Sequence, residues 1–422
     1  MHTTTALDVL IIGGGMITYD QILPSVYHLQ RQGVVGRIGI CGRRSAPLRE
    51  LAESQPLREA FPGQTFDAYP PLTAPDSAKF PRLFEERLAA LPPRQCVIAA
   101  VPDQEHYDVV MACLRHDQHV LCVKPLVLKY TQALEIEHLA REKGLFVGVE
   151  YHKRFDRRSL LARKEYRLGH VGEFVMAEAR LIEPYYYRHS NFQNWFTCDQ
   201  TDPFVYIGCH YVDLLVFVTG LMPSAVSVAG VKGKFPNGKE GYMWTAGRVT
   251  FENGAILSIV NGLGYPDLGA GSNEQGLIMY CEGDDKSGLI EHDDQFRGVH
   301  YSFTTAKGPG GSEYNYVNPD YMKLVAWEGT GYKPVGYGYD SVAANVEAIA
   351  RIVKDTGGMT EAEALVRRRA LLADIDDRGI IATPKNSSYN ELVQEAARLS
   401  ILNDGRTADI HWGAAPSVSL RA

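Results

Sequence analysis

Asp8-Val9-Leu10-Ile11-Ile12-Gly13-Gly14-Gly15-Met16-Ile17-Thr18 carries an apolar, β-type run straight into three glycines and then into residues that can be helical. Glycine lets a backbone turn sharply and approach a ligand closely, and a helix start offers free N–H groups and a positive dipole end. A pyrophosphate suits that arrangement, which places Gly13, Gly15, Met16 and Ile17 at a dinucleotide. The G-x-G-x-x-G pattern is incomplete, because Thr18 replaces its last glycine. Further on, Arg37-Ile38-Gly39-Ile40-Cys41 ends in Gly42-Arg43-Arg44-Ser45, with no carboxylate to accept hydrogen bonds from an adenosine ribose. Arg43, Arg44 and Ser45 offer donors that match a 2′-phosphate instead. The expected cofactor is NADP or NAD, with the arginines favouring NADP. Val101 and Pro102 close another strand, and parallel strands point their carboxyl ends at the ligand crevice, so both are expected to line the nicotinamide side. His106 follows at the next helix start, beside the cofactor or as a structural residue. Lys124 precedes Pro125, and proline pushes the preceding residue towards extended backbone, so this ammonium is expected to project from a strand end into the same crevice.

The elements that must position these groups alternate. Strand-like runs at 7–12, 37–41, 66–69, 95–101, 119–123 and 145–149 are separated by helix-like segments near 16–31, 46–60, 77–91, 104–116 and 130–143. This pattern predicts an α/β fold, a doubly wound parallel sheet of the Rossmann kind over residues 1–150. Pro24 is expected to kink the first helix. After Tyr151 a helix at 157–168 gives way to strands at 171–183, 224–233, 242–252, 254–263, 276–281 and 288–292. One helix interrupts them near 207–219. Strands in succession predict a largely antiparallel sheet in an α+β domain spanning 151–422. Residues 305–340, rich in Gly, Tyr and Pro, read as an irregular excursion. Helices return at 341–356, 360–377 and 389–401, and the last twenty residues read as a tail or an arm packed on a neighbour.

Bulk properties narrow the function. A chain of 422 residues favours two domains. A net charge of −7 without a basic tract argues against nucleic acid as a partner. No apolar run approaches the ~18–20 residues of a membrane span, and Met-His-Thr-Thr-Thr leads into a strand without a secretory pattern. Seven scattered cysteines with no C-x-x-C pair read as reduced thiols. The expectation is a cytoplasmic protein acting on a small molecule.

Four blocks then converge. The glycine bend, Lys124-Pro125, Tyr151-His152-Lys153-Arg154-Phe155-Asp156 and Gly208-Cys209-His210-Tyr211-Val212-Asp213 together resemble the Gfo/Idh/MocA family, over roughly residues 7–265. The resemblance implies a Rossmann domain followed by a domain built on a large open sheet, dimers or tetramers that pair through that sheet, and oxidation or reduction of a sugar or cyclitol hydroxyl with NAD or NADP. It assigns Lys124 and His210 to the active site. Two departures accompany it: Val123 stands where the family usually has glutamate, and Tyr206 where it usually has aspartate.

The chemistry agrees with that assignment. Removing a hydride from an alcohol carbon requires loss of the hydroxyl proton to a base and stabilisation of the developing alkoxide. His210 suits the base and Lys124 the electrostatic partner. Tyr206, one helical turn before His210, is placed to share or relay the proton. Asp213 either orients the imidazole or caps the local structure. A metal bound by His210 and Asp213 would lack a third ligand, so none is expected. Tyr151, Lys153, Arg154 and Trp195 complete the expected substrate surface, and the aromatics at 185–187, 192, 195 and 196 offer faces for the C–H side of a sugar. Two other outcomes remain open: a redox-neutral, NAD-dependent glycoside-processing enzyme, and a non-catalytic dinucleotide or sugar sensor.

Overall fold

Six short apolar runs build the first sheet of the computed structural model, which describes residues 6–269, 273–284, 286–293, 299–304, 312–317 and 320–422. They are β1 (Leu7–Ile12), β2 (Val35–Cys41), β3 (Asp67–Tyr69), β4 (Cys96–Ala99), β5 (His119–Val123) and β6 (Val147–Glu150). The order β3-β2-β1-β4-β5-β6 is parallel throughout. Strands such as Cys96-Val97-Ile98-Ala99 are buried along their whole length, as a sheet covered on both faces requires. This is the Rossmann arrangement the sequence predicts.

Local chemistry refines several helices. A π turn over Thr18–Ile22 precedes the helix Leu23–Arg31, and Pro24 lies in that helix's first turn, where its missing N–H costs nothing. The irregularity expected at Pro24 lies just before it, in the π turn. The segment 46–60 is two helices, Ser45–Glu53 and Gln55–Ala60, because Ser54 caps the second by accepting from the Leu57 N–H. The expected helix at 77–91 shortens to Leu83–Ala90.

Two compact units divide the chain. The first comprises Met1–Phe155 and Tyr321–Ser388; the second comprises Asp156–Asp320 and Tyr389–Ala422. Residues 321–388, grouped with a 151–422 domain on chain order, thus pack in the first unit. The reason is apolar spacing: Val342, Val346, Ile349 and Ile352 of helix Tyr337–Thr356 join the core of Val9, Ile11, Ile98 and Leu121. Each such side chain contributes roughly 1.5–3 kcal/mol when fully buried. The hairpin β15–β16 (Lys323–Ala326, Tyr332–Val335) belongs to this unit as well.

The second unit is built on β7 (Glu173–Pro184), β8 (Pro223–Lys234), β9 (Glu240–Phe251), β10 (Ile256–Tyr265), β11 (Glu274–Gly283) and β12 (Lys286–Asp293). With β17 (Ala408–His411) and β18 (Ser417–Leu420) from the end of the chain, the eight-stranded order is β12-β11-β7-β10-β9-β8-β17-β18, with β7 and β10 parallel and the other neighbours antiparallel. A separate hairpin pairs β13 (Val299–Thr304) with β14 (Ser312–Val317). Residues 305–311, 318 and 319 of the expected excursion lie outside the described residues; the rest of it contains the β14, β15 and β16 strands. The final residues are no loose tail. Strands β17 and β18 extend the sheet beside β8, and the Trp412 indole N–H donates to the Pro223 carbonyl at 2.6 Å. Among the described residues, no helix is long and apolar enough to cross a membrane.

Candidate functional site

The glycine bend is fixed by close packing. Gly13 has φ +116°, and a Cβ there would lie 2.0 Å from the Ala100 carbonyl oxygen. Its N–H donates to the Cys41 carbonyl at 2.8 Å, so the bend is pinned between β2 and β4. At Gly14 a Cβ would meet the Leu48 side chain at 2.8 Å, whereas at Gly15 it would meet nothing within 4 Å. One side of the bend is therefore packed and the other open. The helical segment starts at Met16, which is exposed. Thr18, in place of the last glycine, is fully buried and donates its hydroxyl to the Gly13 carbonyl at 2.8 Å. The substitution thus braces the bend. A bend with an open glycine directly before a helix start is the cradle a pyrophosphate needs.

Of the three residues expected around a 2′-phosphate, two face solvent. Arg43 and Arg44 are exposed, and the Arg43 guanidinium pairs with Glu105 at 2.8 Å. Ser45 is buried, and its hydroxyl donates to the Ala74 carbonyl at 2.7 Å. That hydroxyl is committed to the protein.

Beyond β4 and β5 the strand ends are cross-linked. Val101, Pro102 and Lys124 are half-buried. His106 is fully buried, with Nδ1 2.6 Å from the Pro125 carbonyl and Nε2 2.9 Å from the Val101 carbonyl. It therefore ties the two segments together rather than presenting a free ring. Asp103, to which the sequence reading gave no role, is buried between them. Burial pushes its carboxyl up, and the charges of His106 and Lys124 act against that.

At the end of β6, Tyr151, Lys153 and Arg154 are buried rather than displayed. Arg154 donates to the Asn386 side chain at 3.1 Å, and the Lys153 ammonium lies 5.7 Å from the Tyr337 ring centre. Glu150, also buried, accepts from Gln21 at 2.8 Å and faces His152 Nδ1 at 3.1 Å. Tyr321 donates to Gln21 at 2.9 Å. The returning segment 321–388 supplies Tyr321, Tyr337 and Asn386, partners far away in sequence.

The second unit holds the other candidates. A π turn, Phe204–Gly208, leads into the helix Cys209–Thr219, which is buried from Cys209 to Val218 and closes at Gly220 in the left-handed conformation. Tyr206 and His210 lie one turn apart on it. Tyr206 is half-buried and packs edge-on against Phe192 (5.2 Å between ring centres), Phe196 (5.6 Å) and Trp195 (5.7 Å). Three rings thus fix the phenol, and Trp195 acts on it from a half-buried position. His210 is buried. Asp213, one turn on, accepts from the Tyr389 hydroxyl at 2.7 Å. Tyr185 and Tyr186 are exposed on a short 3-10 turn while Tyr187 is half-buried, so the three tyrosines split between surface and packing. Among the described residues, no group of three His, Cys, Asp or Glu side chains is arranged to hold a metal ion.

Residues 7–151 match the model of the family described as oxidoreductase family, NAD-binding Rossmann fold. An uncharacterised oxidoreductase of Schizosaccharomyces pombe is 32% identical over 130 residues, covering 30% of this chain and 34% of its own. D-glucoside 3-dehydrogenase of Escherichia coli is 26% identical over 231 residues, covering 54% and 57%. The chain thus spans between a third and somewhat over half of the length of these curated relatives. Both units find a counterpart in the crystal structure of scyllo-inositol dehydrogenase from Lactobacillus casei, which carries NAD(H) and scyllo-inositol. That likeness has a TM-score of 0.62 at 12% identity over 96% of this chain and 99% of the other, and it speaks for the fold alone. Residues 7–151 thus form a Rossmann domain of six parallel strands that matches the model of that NAD-binding oxidoreductase family.

Proposed function

We propose that the protein is an NAD(P)-dependent dehydrogenase that acts on a secondary hydroxyl of a sugar, glycoside or cyclitol. One observation carries the reading: a single unit combines a glycine bend open at Gly15 with a half-buried lysine at the end of β5. The relationship to D-glucoside 3-dehydrogenase supports the substrate class. When bound, the nicotinamide supplies the hydride acceptor. His210 takes the hydroxyl proton on an imidazole nitrogen as the carbon–oxygen double bond forms, and the Lys124 ammonium stabilises the negative charge on that oxygen. Tyr206 passes the proton onward, its ring held by Phe192, Trp195 and Phe196. Tyr151, Lys153 and Arg154, buried beyond β6, serve as structural supports of the first unit and not as exposed contacts to substrate.

The test is a panel of pyranosides and inositols with NAD and with NADP, followed at the absorbance of reduced nicotinamide. At least one pair should turn over. No change with any of them, in either direction, overturns the proposal; cofactor that survives purification without net reduction indicates the redox-neutral chemistry.

Arg43 and Arg44 make NADP the preferred cofactor. The exposed pair of Arg43 with Glu105 is worth at most about 1 kcal/mol, less than a charge-assisted contact to phosphate at about 1.5–3 kcal/mol. Replacing both arginines by alanine should weaken NADP binding roughly 10- to 100-fold while NAD binding stays within about twofold. Titration by nucleotide fluorescence checks this, and equal losses for the two cofactors would count against the assignment.

We also propose that two copies pair through the open face of the second sheet. Met176, Tyr280 and Leu289 lie in register across β7, β11 and β12 and are exposed there, with Val260 on the same face of β10. The seven unbridged cysteines fit a reducing, cytoplasmic compartment.

A further inference from the structure

A buried carboxyl lies in the field of the strand-end lysine, and nothing in the proposed proton transfer uses it. Asp103 follows Pro102 beyond β4, is 7% exposed, and its Oδ2 has no hydrogen-bond partner among the described residues. An unpartnered buried oxygen costs about 1–3 kcal/mol unless a neighbouring charge compensates it. The neighbouring groups that act on it are the His106 ring and the Lys124 ammonium. His106 also sets the spacing. Its two contacts join the carbonyl of Val101, two residues before Asp103, to that of Pro125, the residue after Lys124. The end of β4 and the end of β5 are thereby held as one piece.

β5 has β4 on one side and β6 on the other. From the β6 side the charged groups are Glu150 and His152. Glu150 stands opposite Val123 in register, but its two carboxylate oxygens are engaged by Gln21 and His152. Asp103 keeps acceptor capacity in reserve. At 123 itself the chain has valine, so the end of β5 brings no carboxylate of its own to the lysine that follows.

We propose that Asp103 is the positioning residue of Lys124, its carboxylate acting on the ammonium through its field from the β4 side. This rests on the reading of Lys124 as the alkoxide-stabilising cation. A carboxylate beside an ammonium favours the charged amine and restricts where it points. Because burial makes Asp103 take up its proton at higher pH than an exposed aspartate, its hold on Lys124 weakens earlier on acidification.

The test uses the full chain and a readout that needs no substrate: reactivity of the Lys124 amine towards acetic anhydride as a function of pH, quantified by peptide mass spectrometry. In Asp103→Asn the Lys124 profile should move to lower pH, so that labelling below the wild-type midpoint becomes about tenfold faster. Asp103→Ser gives the same comparison if the asparagine variant does not fold. An unchanged Lys124 profile, or an equal displacement in Glu150→Gln, overturns the proposal. Failure of the dehydrogenase reading is separate and recognisable, since a wild-type protein without turnover on any sugar still reports the coupling between positions 103 and 124. In an active enzyme, Asp103→Asn should lower kcat about tenfold with little change in the KM for nucleotide.

Discussion

Replacing Lys124 by methionine should lower kcat by about 10²- to 10³-fold, the usual effect of deleting one preorganised charge that stabilises a developing oxyanion. Methionine keeps most of the stem's volume and removes only the ammonium. Lys124 is half-buried, so its loss leaves no large cavity, and the melting temperature should move little. Nucleotide affinity should also change little if the ammonium acts on the substrate oxygen. His210→Asn is the companion variant and should cost about 10²- to 10⁴-fold as loss of a general base. Combined, the two should cost far less than the product of their separate effects, because residues that act on one transition state do not add. Steady-state kinetics with a substrate from the sugar panel decides it. A Lys124→Met enzyme that keeps its wild-type kcat would remove the lysine from the chemistry.

Gly13 and Gly15 should separate into a folding residue and a binding residue. A methyl group at Gly13 meets the Ala100 carbonyl at 2.0 Å, and the φ of +116° is one that side chains rarely adopt. The obstacle is backbone, so β1 and β4 must part to relieve it. Strain of about 1–3 kcal/mol and overpacking of a similar size add up to a sizeable share of a typical 5–15 kcal/mol stability. Gly13→Ala should therefore lower the melting temperature by on the order of 10 °C. At Gly15 the methyl group meets no protein atom within 4 Å. Gly15→Ala should melt like the parent yet bind nucleotide at least about tenfold more weakly, since the methyl enters the space assigned to pyrophosphate. Calorimetry on both variants, with and without nucleotide, checks the split. Equal nucleotide affinity in Gly15→Ala and the parent would move the cofactor elsewhere.

Much of the first unit was legible because strand period and helix period alternate cleanly there, and β1 and β5 match their expected bounds residue for residue. The split at Ser54 was also visible, as a serine three residues before Leu57, but helix-period apolar spacing on both sides masked it. Chain order misplaced 321–388, because periodicity reports that a helix has an apolar face and not which sheet that face will meet. The same limit applies to Lys153 and Arg154. Charge suggests a surface or a ligand, whereas their partners Tyr337 and Asn386 arrive more than 180 residues later. Strand β17 was too short to register, with only Ala408 and Ile410 alternating inwards. Lys124 and His210 are proposed on residue type and context, whereas nothing in the sequence singles out Asp103, because its burial depends on neighbours that only the fold supplies.

The discontinuous first unit has a consequence for biosynthesis. Helix Tyr337–Thr356 joins the core that holds Val9, Ile11 and Leu121, yet it leaves the ribosome long after them. At about 5–20 residues per second, the nascent Rossmann sheet waits roughly 10–40 s for its last layer. Throughout that interval an uncovered aliphatic face is available to chaperones, so release of a fragment ending near Phe155 should yield a sticky, aggregation-prone polypeptide instead of a free-standing nucleotide-binding module.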